Sequence, residues 1–168
     1  MLIRIAGTVS ESIVDGPGIR YTIFSQGCPH HCEGCHNPET HDFNGGRLAD
    51  TDKIYNHIVA NPLLKGVTFS GGEPFCQPAP LYELAKKIKE NTKLDIMSYT
   101  GFTFEQLVEK SKTDEDVKNL LSVVDILVDG RFVLSEKSLE LRFKGSKNQR
   151  IIDCQKSLES GSVVIKEL

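Results

Sequence analysis

Long apolar runs are missing from this 168-residue chain. No stretch approaches the about 18 residues of a membrane-spanning helix, so no span is expected. The opening MLIRIAGTVS has no basic segment followed by a long apolar one, so no secretory signal is expected. A basic excess is missing as well. Lys and Arg number 20 against 23 Asp and Glu, a formal net charge of -3, which gives no global field for nucleic acid or an anionic membrane. Repeats and low-complexity tracts are absent, and 168 residues suit one domain with a real core. Apolar content of 39% and charged content of 26% are those of a soluble globular protein, and a cytoplasmic location is expected. In that reducing compartment a tight cysteine cluster reads as metal-binding or catalytic rather than as disulfides.

What is there begins with that cluster. Three of the five cysteines, Cys28, Cys32 and Cys35, fall within GCPHHCEGCHN at x3 and x2 spacing. Around them, alternation predicts a strand in LIRIAGTV, β-branched and aromatic content one in IRYTIFSQG, and GVTFSGG reads as a short buried strand, with further strands read in KLDIMSYTG and DILVDGRF. Helical spacing predicts helices in ADTDKIYNHIVA, with Asp50 or Thr51 as N-cap, and in PAPLYELAKKIKENT, with Leu81, Leu84, Ala85 and Ile88 on one face. TFEQLVEK, capped by Thr103, and DEDVKNLLSVV predict two more helices. Beyond them SLELRFKG is read as a strand and NQRIIDCQKSL as a short helix. Strands alternating with helices predict parallel strands in an α/β layer. Ligands of such sheets collect beyond the carboxyl ends of the strands. Four segments stand there: the cysteine loop, Gly71-Gly72-Glu73-Pro74, Tyr99-Thr100-Gly101 and Asp129-Gly130-Arg131.

Three thiols admit more than one chemistry. Cys28, Cys32, Cys35 and a nearby histidine could close a structural zinc site. A redox dithiol would leave the third thiol idle. An iron–sulfur cluster normally takes four thiolates, so three leave one iron without a protein ligand, and an open coordination position is where chemistry can occur.

Cys-x3-Cys-x2-Cys is also the motif of the radical S-adenosylmethionine enzymes. With DGPGIRYTIFSQGCPHHCEGCHNPET, VTFSGGEP, YTGF, LVDGRF and RFKGSKNQR, in that order, the chain resembles the activating proteins of anaerobic ribonucleoside-triphosphate reductases. The resemblance spans nearly the whole chain. It implies a single radical SAM domain over residues 1–168, with an α/β fold that is an incomplete, laterally open parallel (βα) barrel of the radical SAM type. A closed eight-stranded barrel typically needs about 250 residues. It implies a [4Fe-4S] cluster held by Cys28, Cys32 and Cys35, with the methionyl amine and carboxylate of S-adenosylmethionine on the open iron. One-electron cleavage of that cofactor would give a 5'-deoxyadenosyl radical, which takes a hydrogen atom from a glycine of the partner reductase. A low-potential electron donor such as flavodoxin or ferredoxin is implied as a second partner.

The remaining residues are weighed around that frame. Gly71, Gly72 and Glu73 could only end a strand, but beside the cysteines they are expected to let the backbone meet the methionyl group. Gly34 stands where many superfamily members carry an aromatic residue, and His36 is expected to supply the ring face instead. Thr100 is expected to reach the nucleoside or carboxylate. Asp129 and Arg131 are expected to pair with the zwitterionic ligand. Gly16-Pro17-Gly18 reads as a turn. His30 and His31 read as loop residues, His41 and His57 carry no functional claim, and Cys76 and Cys154 read as small buried hydrophobes. Lys147, Asn148, Gln149 and Arg150 are distinctive of the resemblance without a role. Two rivals remain open: an activase of another glycyl-radical enzyme such as pyruvate formate-lyase, and a zinc-stabilised or ferredoxin-like binding protein without catalysis.

Overall fold

The computed structural model describes residues 1–168. Its centre is one seven-stranded sheet in the order β3-β1-β2-β4-β5-β6-β7. The strands are β1 (Leu2–Ser12), β2 (Arg20–Ser25), β3 (Arg47–Asp50), β4 (Gly66–Gly71), β5 (Asp95–Tyr99), β6 (Ile126–Asp129) and β7 (Arg150–Asp153). β2, β4, β5 and β6 run parallel, as the alternation of strands and helices predicts. At the edges, where no α-helix separates the strands, β1 is antiparallel to both β2 and β3, and β7 is antiparallel to β6. The sheet is therefore mixed and ends at β3 and β7, the latter bridged on its outer side by residues 164–166, so the layer is open rather than closed into a barrel.

The helices are α1 (Thr51–Val59), α2 (Pro78–Asn91), α3 (Phe104–Ser111), α4 (Glu115–Leu121) and α5 (Cys154–Ser160). Local chemistry sets their ends. Asp50 accepts the Asp52 N–H at the start of α1. Pro78 opens α2, where a missing N–H costs nothing. Thr103 and Gln106 form a reciprocal capping box on α3. All five helices bury residues in one cluster of 24 together with alternate strand residues such as Ile5, Ile23, Phe69, Ile96 and Leu127. Leu81, Leu84, Ala85 and Ile88 are the buried stripe of α2.

The C-terminal region differs from its sequence reading. Residues 138–145 form no strand, and a single bridge, Lys137 with Ser146, touches this stretch. The strand lies further on, at Arg150–Asp153, where a helix was expected from Asn148. Its alternation explains this. Ile152 enters the main cluster, while Ile151 packs with Met97, Ile126 and Val128 on the opposite face. The helix begins only at Cys154, capped by Asp153. β3 has two exposed and two half-buried residues and no apolar alternation to announce it.

Candidate iron–sulfur site

The face of the sheet without helices carries an open cavity of about 650 Å³, inside the range of about 300–1,000 Å³ usual for ligand sites. Cys28, Cys32, Cys35 and His36 line it from the cysteine loop, Gly71 and Gly72 from the end of β4, and Tyr99, Thr100 and Gly101 from the end of β5. Gly130, Phe132, Phe143 and Lys144 close the far wall. The expected convergence of strand ends is therefore present.

Backbone bonds weld the base of the cysteine loop to the glycine turn. Gly72 N–H donates to Ser25 O at 2.8 Å, Glu73 N–H to Gly27 O at 2.8 Å, and Cys28 N–H to His41 O at 3.2 Å. Gly71 has φ +92°, and a Cβ there would lie 2.5 Å from Ser25 N. A Cβ on Gly72 would collide with Gly27 O and lie 2.9 Å from Thr40 O. Both glycines are thus demanded by close packing within the chain, besides facing the cavity.

The acidic residues are spent inside the protein, while Thr100 lines the cavity. Glu73 is fully buried and accepts from within the protein: from Phe75 N–H at 3.0 Å, Gly101 N–H at 2.7 Å, His30 Nε2–H at 2.7 Å, and the Thr100 hydroxyl 2.9–3.0 Å from its oxygens. Its carboxylate ties three loops together, and Thr100 spends its proton on it. Asp129 is 1% exposed. Its oxygens take the Phe104 N–H at 2.7 Å and the Arg150 guanidinium at 2.5–3.0 Å. Register explains this, since Asp129 stands opposite Arg150 on β7. Neither Asp129 nor the exposed Arg131 lines the cavity, so this pair is not brought to the site. Gly34 has φ +74° and packs against Leu134 outside the lining. His36 does line the cavity, its ring centroid 5.2 Å from that of Phe132.

Several roles were missed in the sequence. His30 joins Glu73 across 43 positions, beyond the reach of any spacing rule. Gln149 holds the far wall, its Oε1 accepting Gly145 N–H at 2.7 Å and its amide donating to Gly130 O at 3.0 Å. Asn148 donates to Arg131 O at 2.8 Å. With Arg150 on Asp129, the side chains of Asn148, Gln149 and Arg150 are all spent on bonds within the chain. Arg20 of DGPGIR is fully buried beneath the cavity. It donates to Pro17 O at 3.0 Å and Thr68 Oγ1 at 2.7 Å, pairs with Asp95, and so binds the turn to the sheet. Cys76 is exposed, contrary to its reading as a buried hydrophobe: the short 3-10 turn Pro74–Cys76 buries Pro74 and Phe75 and leaves Cys76 outside. Cys154 is buried as expected.

The donor set is compatible with a cluster. All five cysteines are free. A zinc site needs its donors converging on one point at about 2.0–2.3 Å, and no group of three or more Cys, His, Asp or Glu side chains does so. In a four-iron cubane each thiolate binds a different iron, so the sulfurs surround a volume instead. Asn37 N–H already points at Cys35 Sγ at 3.4 Å, and His41 lines the cavity with Nε2 buried and unpartnered. Burial pushes the Cys28 thiol up, and a bound metal cation reverses that by deprotonating its thiol ligands.

Residues 14–152 match the family described as "4Fe-4S single cluster domain". The anaerobic ribonucleoside-triphosphate reductase-activating protein of Vibrio cholerae is 34% identical over 148 residues, which cover 83% of this chain and 90% of that one. The chain belongs to this activating-protein family. The pyruvate formate-lyase-activating enzyme of Clostridium pasteurianum is 36% identical over 114 residues, but only 63% of this chain and 48% of that enzyme align. The crystal structure of QueE from Escherichia coli overlaps 61% of this chain and 54% of its own, with 19% identity and a TM-score of 0.47. Family membership makes the protein an enzyme of the radical SAM type with an iron–sulfur cluster. No helix is long and apolar enough to cross a membrane.

Proposed function

We infer that this chain is the activase of an anaerobic ribonucleoside-triphosphate reductase and installs a glycyl radical on it. The observation that carries the reading is three free thiols around one open cavity, facing the glycine turn that ends β4. Cys28, Cys32 and Cys35 would hold three irons of a [4Fe-4S] cluster, and S-adenosylmethionine would complete the fourth. When bound and reduced, the pair supplies one-electron cleavage of the cofactor and a carbon radical. The chain's residues bind, orient and shield. Gly71 and Gly72 bring backbone to the methionyl end, and His36 beside Phe132 offers a ring face for the nucleoside. Tyr99, its hydroxyl donating to Phe143 O at 2.7 Å and its ionisation pushed up by burial, walls the cavity without offering an anion. The open mouth leaves room for a partner's glycine loop, whose arrival completes exclusion of water.

A low-potential donor such as flavodoxin or ferredoxin would feed the cluster, and five unpaired cysteines suit the reducing cytoplasm. A pyruvate formate-lyase-type partner is the second reading, supported by the clostridial relative but over less of both chains. The deciding experiment uses reductase deuterated at its target glycine, incubated anaerobically with the reconstituted chain, S-adenosylmethionine and reductant. Deuterium in 5'-deoxyadenosine is expected. Deoxyadenosine formed without deuterium would contradict the reading.

A further inference from the structure

The loop that carries Cys32 and Cys35 is poorly anchored by its backbone. Between Pro29 and His36 the backbone bonds stay inside the loop, as Cys35 N–H to Cys32 O at 3.2 Å. Beyond the adjoining Asn37 N–H on Cys35 Sγ, one hydrogen bond joins these residues to a distant segment: His30 Nε2 to Glu73 Oε1 at 2.7 Å. The His30 side chain is 4% exposed and that of Glu73 0% exposed. The imidazole is seated in a fitted socket. It meets Phe102 edge-on with centroids 4.6 Å apart, and a Cβ on Gly101 would overlap its ring. Glu73 is held in turn by Thr100 and by the amides of Phe75 and Gly101.

We propose that His30 is a positioning residue: it clamps the thiol loop to the Gly71-Gly72-Glu73 turn and so sets how the cluster meets the methionyl end of S-adenosylmethionine. The proposal deepens the reading above and rests on it. Cys28 is secured by its backbone bond to His41, so the thiols can still gather iron without the clamp. What the clamp fixes is the offset between the loop holding Cys32 and Cys35 and the glycine turn. Misplacement by about 1 Å between parts of a reacting site costs on the order of 100-fold in rate. A hydrogen bond between two buried side chains is well suited to holding such an offset.

The test compares wild type, His30→Leu and His30→Gln after anaerobic reconstitution. Iron and sulfide content, calorimetric affinity for S-adenosylmethionine, and the electron paramagnetic resonance of the reduced cluster with and without the cofactor are read. Both variants are expected to load cluster as wild type does. His30→Leu should bind the cofactor at least about 10-fold more weakly, with no spectral response at a concentration that saturates wild type. His30→Gln, whose amide nitrogen replaces Nε2 as donor, should recover both to within about threefold. Wild-type affinity and response in His30→Leu would overturn the proposal, as would failure of both variants to hold cluster, since His30 would then only build the loop. Absence of cofactor binding in wild type itself would overturn the functional reading and this inference together.

Discussion

The two faces of the sheet share their strands and divide the protein's tasks. Toward the helices, Ile5, Ile23, Val67, Phe69, Ile96 and Leu127 are buried in one large apolar cluster. Toward the cavity the same strands carry Arg20, Thr22, Thr68, Ser70, Met97 and Tyr99, with only a small apolar group around Met97, Ile126 and Val128. The first face is non-directional: area removed from water stabilises it, and many volume-conserving sequences would serve. The second is directional. Arg20 and Glu73 are buried there with their partners supplied from specified atoms. Helical packing holds the scaffold, and polar ties hold the loops in place over the cavity.

The comparison breaks most sharply at the thiols. Cys28→Ala, Cys32→Ala and Cys35→Ala should each abolish cluster loading while the helix-covered core stays folded. Cys76→Ala and Cys154→Ala should load normally, because neither lines the cavity. Iron analysis after anaerobic reconstitution checks this, and a full complement of iron in Cys32→Ala would overturn the ligand assignment. On the other face, Leu84→Ala should cost about 2–5 kcal/mol in denaturant unfolding, because Leu84 is 1% exposed in the main cluster. Iron bound per folded chain should not change. Loss of iron without loss of stability would mean that the faces are not separable. The smallest effect is at a helix end: Thr103→Ala removes half of the capping box on α3 and should cost about 1 kcal/mol. Because α3 follows directly on Gly101 and Phe102, a disproportionate fall in cofactor affinity would show that this cap also supports the His30 socket.

Legibility in the sequence follows the same division. The helix-covered face was readable because burial on one side imposes a period: the α2 stripe, the Thr103 cap and the parallel strands are all written locally. β3 and β7 were obscure because edge strands of four residues hold too few periods to register. On the cavity face, the cysteine spacing and the glycine turn were visible as motifs. Their partners were not. Glu73 invites a reading as a ligand contact, and only the fold shows its oxygens taken by His30, Thr100, Phe75 and Gly101. Asp129 and Arg131 look like a pair by proximity, but strand pairing gives Asp129 to Arg150, 21 positions away. Long-range polar bonds between strand ends have no periodic signature.

The central claim is that the cavity face generates a radical for a partner's glycine. The most direct measurement is electron paramagnetic resonance of an anaerobic ribonucleoside-triphosphate reductase after incubation with this chain, S-adenosylmethionine and a one-electron reductant. A doublet is predicted on the reductase, from coupling to the one hydrogen left on the glycine α-carbon, and none when Cys32→Ala replaces the wild-type chain. No reductase radical despite full cluster loading and cofactor cleavage, or a doublet raised only on a pyruvate formate-lyase, would contradict it.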